Sequence, residues 1–270
     1  MARKLAILAG RGPLPAQVAA AALAQGAEVF VLAFEGETEP DLVRDLPHRW
    51  VPLGAVGRAI DALRAAQVEE VVLIGGVRRP SLASLDRRGM QLLARLGLRR
   101  HGDDQLLRLI VGELEREGFR VVGADTLIGE VLATEGPMTV LAPDADAMRD
   151  IALGVEVAAR LGDLDIGQAA IVQQGLVLGV EAVEGTDALI ARCAGLKRAG
   201  RGGVLVKVKK PRQERRADLP TIGPQTVRLA AETGIAGIAV QADHCLIVDR
   251  TEVVAAADGA GLFVIGVPAR

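Results

Sequence analysis

A segment rich in lysine, arginine and carboxylates occupies residues 207–223, directly after a short apolar run. The run, residues 204–208, is β-branched and ends in turn-forming sequence, which is typical of a strand. Eight of the sixteen residues from 207 to 222 are charged. Lysine and arginine neutralise phosphate oxygens, and carboxylates such as Glu214 and Asp218 hold a hard divalent cation or position a water molecule. The charged segment (residues 207–223) therefore indicates phosphate chemistry on a loop.

A structural explanation of the same charges stays open, because they could pair with one another on a solvated surface loop. Residue spacing alone does not separate this explanation from phosphate binding. Hydrolysis by a Ser-His-Asp triad finds no support in the sequence. None of His48, His101 and His244 has a nucleophile and an orienting acid at a recognisable spacing.

The order of residues in the charged segment matches a family signature, K-x-x-K-P-x-Q-D-x-R-x-D-x-P-x-I-G. The segment thereby resembles the LpxI family, the UDP-2,3-diacylglucosamine pyrophosphatases of lipid A synthesis. One position departs from the signature: Glu214 stands where the family usually carries Asp, so the carboxylate is kept on a longer side chain. The matching residues are Lys207, Lys210, Pro211, Gln213, Arg216, Asp218, Pro220, Ile222 and Gly223.

The composition argues against nucleic-acid binding. The chain has 270 residues, which suits one large domain or two of moderate size, and 50% of them are hydrophobic. Only four Phe, one Trp and no Tyr are present, so the stacking of bases on aromatic side chains is not expected. A net charge of −2 lacks the positive footprint of a nucleic-acid-binding protein.

The sequence also predicts the cellular compartment. Cys193 and Cys245 have no metal-binding spacing and are expected to be buried thiols of a reduced protein. The N-terminal apolar run is too short for a secretion signal, and no apolar stretch approaches the roughly 20 residues that span a bilayer. We expect a cytoplasmic protein, which a lipid substrate would bring at most peripherally to the inner face of the inner membrane.

The elements that must position the charged residues begin with alternating strands and helices. Strands joined through helices argue for right-handed crossovers and a parallel sheet. The first part of the chain, residues 1–130, is therefore predicted as a Rossmann-like α/β domain. Its strands are expected at residues 4–9, 29–33, 49–52 and 70–74, and its helices at 14–25, 56–66, 81–99 and up to 117.

Glycine-rich loops follow the first and the fourth of these strands. The first loop, from Gly10, is close to the dinucleotide fingerprint G-x-G-x-x-G, but Pro15 replaces the third glycine and Pro13 removes a backbone donor. Free N–H groups at the start of the following helix can still bind an anion. The second loop has two glycines for close backbone approach, and Arg78 and Arg79 as donors to phosphate. A plain turn and a solvent-facing loop are the alternatives.

Both loops also match LpxI patterns, G-x-G-x-x-P in the first and G-G-x-x-x-P in the second. The resemblance implies that they bind the substrate, with the first loop at its nucleotide end. The residues concerned are Gly10, Gly12, Pro13 and Leu14 in the first loop, and Gly75, Gly76, Val77 and Arg78 in the second.

A pair of aspartates precedes the helix that is expected to end at Glu117. Asp103 or Asp104 would cap this helix. The family is similar here too, with G-D-D followed by leucines, and the aspartate that does not cap the helix could meet the metal ion. We assign this metal-binding role to Asp103.

Residues 131–143 are predicted to link the first domain to a second α/β domain, residues 144–270, which carries the charged segment. Glycines and prolines interrupt the regular patterns here, and Asp144 would cap the long amphipathic helix that follows. Two strands at residues 169–173 and 176–183, separated by a short glycine turn, are typical of a hairpin.

A further motif, E-x-x-E-G-T-D, lies after the hairpin and matches the LpxI family from Glu181 onward. Thr186 or Asp187 is expected to cap the next helix, which leaves the two glutamates of the motif without a structural role. The resemblance implies substrate contacts for Gln168, Glu184, Gly185, Thr186 and Asp187.

The resemblance covers essentially the whole chain and implies a reaction. LpxI proteins cleave the pyrophosphate bond of UDP-2,3-diacylglucosamine to UMP and 2,3-diacylglucosamine 1-phosphate, also called lipid X, and Mg²⁺ is the implied metal ion. Asp218, Glu214 and Asp103 would hold Mg²⁺ or orient the water molecule, while Lys210 and Arg216 would meet the pyrophosphate. Further substrate contacts of the charged segment would come from Lys207, Gln213, Thr221, Ile222 and Gly223.

Other readings of the chain stay open at this point. A cleft between the two domains is the expected place for the acyl chains, and the sequence allows a homodimer. An NAD-dependent oxidoreductase would use Glu35 to meet a ribose, but Pro15 and the charged segment disfavour it. A non-catalytic protein that binds a nucleotide sugar or regulates its use is the alternative from another functional class.

Overall fold

Two structural units make up the chain. The structure, a computed structural model, describes residues 3–78, 81, 84–96, 103–128, 131–211 and 213–268, with the backbone alone for Leu96 and Asp103. Unit 1 comprises Met1–Gly129 together with Glu214–Asp218, and unit 2 comprises Glu130–Gln213 and Leu219–Arg270. Five residues of the charged segment thus belong to the first unit, although their flanking residues belong to the second.

The sheet of unit 1 is parallel throughout the described residues. Its strands are β1 (Lys4–Ala9), β2 (Glu28–Phe34), β3 (His48–Val51), β4 (Glu70–Ile74) and β5 (Arg120–Val122). They lie in the order β3-β2-β1-β4-β5, which is the order of a Rossmann fold. Leu5 and Ile7 of β1 face one side of the sheet, and Ala6 and Leu8 face the other. The predicted Rossmann-like first domain is confirmed.

Helices cover both faces of this sheet. The helices described in unit 1 are α1 (Leu14–Ala24), α2 (Val56–Ala65), α3 (Arg87–Leu96) and α4 (Asp103–Arg116), with 3₁₀ turns at Pro40–Val43 and Ala124–Thr126. Side chains of α1 pack on one face, and those of α2 and α4 pack on the other. The helix predicted at residues 81–99 begins at Arg87 because Asp86 accepts the N–H of Gly89 and caps it. Residues 97–102, which include His101, lie outside the described residues.

Unit 2 is built on a mixed sheet. Its strands are β6 (Gly136–Pro137), β7 (Ala169–Gln173), β8 (Leu176–Val180), β9 (Val204–Lys207), β10 (Thr221–Ile222), β11 (Gly237–Gln241), β12 (Leu246–Ile247) and β13 (Phe263–Val267). The larger sheet has the order β6-β13-β11-β9-β7-β8, and β10 pairs with β12. Strands β9, β11 and β13 are parallel, and β7 and β8 form the predicted hairpin.

The helices of unit 2 sandwich the larger sheet. Those described are α5 (Ala145–Asp163), α6 (Thr186–Cys193), α7 (Pro224–Glu232) and α8 (Arg250–Gly259), with a 3₁₀ turn at Ala194–Leu196. Helix α5 packs on the side of the sheet that carries Val204 and Val206, and the other three pack on the side of Leu205. Asp144 Oδ1 accepts the N–H of Ala147 at 2.7 Å, so the predicted cap of α5 is confirmed.

Residues 131–143, predicted as a linker, lie within unit 2. The pair Gly136–Pro137 forms an antiparallel edge strand with β13, and the N–H of Ala133 donates to the carbonyl of Cys245 at 2.8 Å. Glycine and proline interrupt regular patterns in a sequence but are compatible with a two-residue strand at a sheet edge. The irregular sequence therefore belongs to the second sheet.

Both cysteines are buried and form no disulfide bond, as the sequence predicts. Burial raises the pKa of the Cys245 thiol to about 12, although the nearby Lys207 opposes this shift. Burial also raises the pKa of Cys193. The two thiols therefore stay protonated at neutral pH and act as small apolar side chains.

Substitution of two helical glycines should change stability in opposite directions. A Cβ at Gly154 of α5 would lie 2.4 Å from Cγ2 of the buried Val206, so Gly154→Ala should lose about 1–2 kcal/mol through overpacking. Gly112 of α4 has no neighbour closer than 3.9 Å, so Gly112→Ala should gain about 0.5–1 kcal/mol through helix propensity. Urea denaturation measures both values. Stabilisation by Gly154→Ala would contradict the close packing of α5 on β9.

Candidate functional site

The charged segment leaves the second sheet at the predicted point, where β9 ends at Lys207. Glu214, Arg216 and Asp218 then lie in unit 1, whereas Lys207 and the rest of the segment lie in unit 2. The candidate site residues of this one segment are therefore held by two separate sets of contacts. Arg212 lies outside the described residues.

The backbone of Glu214 is held by a carboxylate that is distant in sequence. Its N–H donates to Asp104 Oδ1 at 2.9 Å, and Arg108 lies 2.8 Å from Oδ2 of the same carboxylate. Asp104 is only 4% exposed. Both oxygens of this aspartate are therefore engaged, so the expected capping of α4 does not fall to Asp104.

The side chains of Glu214 and Arg216 form a bidentate ion pair. Arg216 Nε lies 2.9 Å from Oε1 of Glu214, and Nη2 lies 3.1 Å from Oε2. Hydrogen bonding to Arg216 holds the pKa of the Glu214 carboxyl below its usual range against the opposing effect of burial, and Arg108 contributes a weaker attraction. The same hydrogen bond raises the pKa of Arg216. Both groups are therefore charged at neutral pH.

The next residues of the segment also contact the body of unit 1. Asp125 Oδ2 accepts from Arg215 at 3.0 Å and 2.9 Å, and Glu115 pairs with Arg216. A side chain at Gly123 would disturb this arrangement, because its Cβ would lie 2.2 Å from Oδ1 of Asp125. Ala217 packs against the core on the α2 and α4 side of the sheet. Three consecutive residues are thus fixed on unit 1.

Asp218 closes a turn at the end of this stretch. The N–H groups of Asp218 and Ala217 both donate to the carbonyl of Glu214 at 3.0 Å. Asp218 is half-buried. The backbone of Asp218 is therefore tied to Glu214, and the N–H of Glu214 is in turn held by Asp104.

The two glycine-rich loops lie against each other at the carboxyl edge of the parallel sheet. The N–H of Gly10 donates to the carbonyl of Ile74 at 2.8 Å, and Arg11 and Gly76 exchange backbone hydrogen bonds at 2.8 Å and 3.2 Å. A Cβ at Gly10 would lie 2.6 Å from the carbonyl of Gly75. The structure thus brings the two predicted loops together, and the glycines allow this backbone contact.

A buried glutamate joins the same loops from the side. Glu37 is 8% exposed, and its Oε2 lies 2.9 Å from Arg11 Nε and accepts the N–H of Arg78 at 3.3 Å. Gly12, with a φ of 91°, and Pro13 lead into the first turn of α1, which Leu14 begins. Of the remaining predicted loop residues, Val77 is 44% exposed, and Arg79 and Pro80 lie outside the described residues.

Lys210 in unit 2 is fixed by an aspartate and a glutamine. Its Nζ lies 2.7 Å from Asp165 Oδ1, with side chains that are 12% and 17% exposed. The N–H of Gln213 donates to the carbonyl of Lys210 at 3.0 Å, and Gln213 Oε1 accepts the N–H of Lys210 at 3.0 Å. Two of the predicted site residues therefore hold each other in a tight turn.

Lys207 stabilises the return of the charged segment. Its side chain is 7% exposed, and Nζ donates to the carbonyl of Thr221 at 2.8 Å. Thr221 and Ile222 form β10, and Gly223 then begins the first turn of α7. The ammonium group thus ties the end of β9 to the strand that follows the segment.

Glu181 is the centre of the third predicted group. Its Oε2 accepts the N–H of Gln168 at 2.9 Å, and its Oε1 accepts from Thr186 Oγ1 at 2.5 Å. A Cβ at Gly167 would lie 2.1 Å from the carbonyl oxygen of Glu181. The expected capping of α6 by Thr186 is wrong, because Thr186 is the first residue of the helix and Gly185, with a φ of 82°, occupies the N-cap position.

The other acids of this motif are more exposed. Glu184 pairs with Arg192 at 3.0 Å, and Asp187 lies in the first turn of α6 without capping it. Negative charge in the first turn is favourable to the helix dipole. The motif residues Gln168, Thr186 and Glu184 therefore lie together at one end of the β7 and β8 hairpin.

Among the described residues of unit 2, two buried oxygens lack a hydrogen-bond partner, namely Asp165 Oδ2 and Gln168 Oε1. Both residues flank the charged segment, because Asp165 pairs with Lys210 and the carbonyl of Gln168 accepts the N–H of Val208 at 2.9 Å. Buried acceptors without a donor are costly unless water or a ligand satisfies them. The side chains of Asp165 and Gln168 are therefore suited to accept hydrogen bonds from a ligand.

The described residues fit a divalent cation that is bound by one carboxylate together with substrate oxygens. Within the described residues no group of three metal-ligating side chains forms, and the side chain of Asp103 lies outside them. Glu214 is a poor fit because both of its oxygens accept from Arg216. Mg²⁺ is often bound through one or two carboxylates together with substrate phosphates and water. Asp218, half-buried at the end of the turn, fits such a set.

Several contacts of the site have no signal in the sequence. Spacing rules assign no role to Asp125 or Glu115, because their contacts with the charged segment span 90 and 101 positions. Glu37 likewise carries no motif. Asp104 stands in a recognisable G-D-D sequence, but its neighbour Asp103 is the one predicted to bind metal.

Family models match both parts of the chain. The model described as the LpxI N-terminal domain matches residues 4–131, and that described as the LpxI C-terminal domain matches residues 134–265. A relative from Caulobacter vibrioides, UDP-2,3-diacylglucosamine pyrophosphatase LpxI, is 44% identical over 274 residues. The alignment covers 98% of this chain and 98% of the relative.

Similarity to solved structures is low. Glycinamide-RNase-transformylase T from Mycobacterium tuberculosis aligns with 67% of this chain and 43% of its own, with 14% identity and a TM-score of 0.25. Isoflavone reductase aligns with 100% of this chain and 79% of its own, with 11% identity and a TM-score of 0.31. Neither similarity supports a conclusion on fold or function.

Removal of Arg216 should raise the pKa of Glu214. Arg216→Gln deletes the bidentate partner, whereas Arg108→Gln removes only a weaker attraction and should cause a smaller rise. Because the pKa is lowered in the folded state, the stabilisation is present above the unfolded pKa and is lost as pH falls through the folded one. Side-chain ¹³C NMR titration of Glu214 measures the shift, and an unchanged pKa in Arg216→Gln would contradict the ion pair.

Proposed function

The chain belongs to the LpxI family, and from this membership we propose that it hydrolyses the pyrophosphate bond of UDP-2,3-diacylglucosamine in lipid A biosynthesis. The observation that carries the proposal is the full-length identity of 44% to a relative of that name. We infer UMP and 2,3-diacylglucosamine 1-phosphate (lipid X) as products. One water molecule adds to a phosphorus atom, one P–O bond of the anhydride breaks, each product keeps one phosphate, and two protons are released when both phosphomonoesters are dianions.

This reaction requires cations that are in place before the phosphates arrive. We assign this role to Lys210 and Arg216, each of which is held by a carboxylate, Asp165 and Glu214 respectively. An ammonium group has three donors and a guanidinium five, so these pairs leave donors for phosphate oxygens. The paired carboxylates fix the cations without using up their hydrogen-bonding capacity.

Asp218 is the carboxylate that we assign to the water molecule or to Mg²⁺. It is half-buried at the end of the turn, and its backbone N–H donates to the carbonyl of Glu214. Mg²⁺ bound there with substrate oxygens would act as a Lewis acid that withdraws charge from the phosphates. Glu214 contributes by holding Arg216, which its ion pair supports better than a direct role at the metal ion.

Substrate contacts are assigned within each unit in turn. The two joined glycine-rich loops would meet the nucleotide end, because Gly12 lies at the start of α1, where the helix dipole favours an anion. The unsatisfied oxygens of Asp165 and Gln168 would accept from hydroxyl or amide groups of the sugar. Lys207 would contribute to substrate binding indirectly, because its ammonium group donates to the carbonyl of Thr221 and holds that residue in place.

The substrate also bears on where the protein acts. No helix among the described residues is long and apolar enough to cross a membrane. A substrate with two acyl chains resides in a lipid bilayer, so we propose a cytoplasmic protein with peripheral association at the inner face of the inner membrane. A homodimer remains a proposal that analytical ultracentrifugation of the purified protein tests.

UMP release is the direct test of the proposed activity. We expect UMP release from UDP-2,3-diacylglucosamine with Mg²⁺ and loss of this release with EDTA. In Asp218→Ala the kcat should fall about 100-fold or more, as is common when a charge-stabilising or water-orienting group is removed. Asp146→Ala, an exposed carboxylate on α5, is the matched control and should retain activity.

Binding of the intact substrate without UMP release would instead identify a non-catalytic nucleotide-sugar protein. Near-normal activity of Asp218→Ala with an intact fold would remove this residue from the mechanism. Thermal stabilisation by NAD, with no response to UDP compounds, would favour the oxidoreductase alternative.

Contact between the two glycine-rich loops should matter for nucleotide affinity. In Gly10→Ala the new Cβ would lie 2.6 Å from the carbonyl of Gly75 and would force the loops apart. We expect the Kd for UMP to rise about tenfold, measured by isothermal titration calorimetry, because tenfold corresponds to about 1.4 kcal/mol of lost binding energy. Gly112→Ala on α4 is the control with open space. Unchanged UMP affinity in Gly10→Ala would contradict the nucleotide role of this edge.

A further inference from the structure

The five residues Glu214–Asp218 are attached to unit 1 by two buried or nearly buried aspartates that carry no assigned role in the reaction. We propose that Asp104 and Asp125 are positioning residues: they fix Glu214–Asp218 on unit 1 and thereby place the carboxylate of Asp218. This inference rests on the proposed function for its catalytic meaning. The anchoring itself can be measured without activity.

Asp104 acts on the start of the stretch. Its carboxylate accepts the N–H of Glu214, and Arg108, one turn further along α4, pairs with its second oxygen. The aspartate is 4% exposed and lies on a helix, so it is itself rigidly placed. A charge-assisted hydrogen bond in such an environment is stronger than one between neutral groups.

Asp125 acts on the middle of the stretch. It lies in the 3₁₀ turn Ala124–Thr126, directly after β5, and binds the guanidinium of Arg215 through two N–H groups. The turn is itself braced, because Thr126 Oγ1 donates to the carbonyl of Gly123 at 2.7 Å. The contact is therefore made from a rigid part of the sheet edge.

The turn transmits these two contacts to Asp218. The carbonyl of Glu214 accepts the N–H groups of both Ala217 and Asp218, so the residue whose N–H is held by Asp104 also anchors the turn that ends at Asp218. A displacement of about 1 Å in a reacting group can cost about 100-fold in rate. Loss of Asp104 should consequently lower kcat with little effect on substrate affinity.

Glu113 offers a matched control for a purely structural role. It lies on the same helix as Asp104, is 6% exposed, and pairs with Arg88, Arg95 and Arg116. None of these three arginines belongs to Glu214–Asp218. Glu113→Ala therefore removes a comparably buried carboxylate from α4 without touching the stretch.

The test combines steady-state kinetics of full-length variants with a double-mutant cycle. Asp104→Ala should lower kcat about 10- to 100-fold with KM within about threefold, as expected for misplacement rather than lost binding. Asp104→Asn keeps an acceptor for Glu214 and should recover part of the loss, and Asp125→Ala should behave like Asp104→Ala. In an Asp218→Ala background, Asp104→Ala should cause no further loss.

Two results with single variants would overturn the proposal. One is wild-type kcat in Asp104→Ala, and the other is a loss in Glu113→Ala as large as that in Asp104→Ala. Additive losses in the double mutant would also contradict it, because they would show that Asp104 acts independently of Asp218.

Hydrogen–deuterium exchange separates failure of the anchoring from failure of the proposed function. The amide of Glu214 should exchange about tenfold faster in Asp104→Ala than in wild type, because local opening exposes the amide. In Asp104→Asn its exchange rate should lie between those of Asp104→Ala and wild type. Glu113→Ala should leave this amide unchanged. If wild type releases no UMP, faster exchange in Asp104→Ala alone still supports the anchor, and unchanged exchange rejects it.

Discussion

The hydrogen bond from the backbone of Glu214 to the buried carboxylate of Asp104 is the contact on which the site depends. It decides that Glu214–Asp218 belongs to unit 1, although the chain enters and leaves this stretch from unit 2. Leaving a buried carboxylate without its donor costs about 1–3 kcal/mol or more, so the contact is strongly favoured once the fold has formed. The remaining contacts of the stretch, through Arg215, Arg216 and Ala217, then follow.

Pairing of opposite charges explains how a short segment can hold so many cations. Lys210 pairs with Asp165, Arg215 with Asp125, and Arg216 with Glu214 and Glu115. The structural explanation of the charged segment, in which its charges pair among themselves, thus holds for Glu214 and Arg216. Lys210, Arg215 and Arg216 pair with carboxylates outside the segment, whereas Lys207 and Lys209 donate to backbone carbonyls. This arrangement limits repulsion between like charges and keeps cations oriented for a substrate that carries two phosphates.

Elements with strong periodicity were predictable, and contacts distant in sequence were not. The parallel sheet, the hairpin and the cap of α5 by Asp144 follow from strand patterns, a short turn and a local capping rule. The role of residues 131–143 was not predictable, because glycine and proline occur both in linkers and in short edge strands. Thr186 does not cap α6, since the helix begins one residue earlier than the capping rule assumes and Gly185 occupies the N-cap position.

The candidate site shows the same division. The motifs identify the charged segment and the two glycine loops, because their residue order is specific. They do not identify Asp104, Asp125 or Glu37 as partners, since no local rule relates residues that are 110, 90 or 41 positions apart. These partners nevertheless determine where the motif residues lie.

The most direct test of the central claim is ³¹P NMR of the purified protein with UDP-2,3-diacylglucosamine and Mg²⁺. Hydrolysis of the anhydride predicts that the two coupled pyrophosphate resonances disappear and that two phosphomonoester resonances grow in equal amounts. Retention of the pyrophosphate resonances, either in unchanged substrate or in released UDP, would contradict cleavage between the phosphates and with it the proposed reaction.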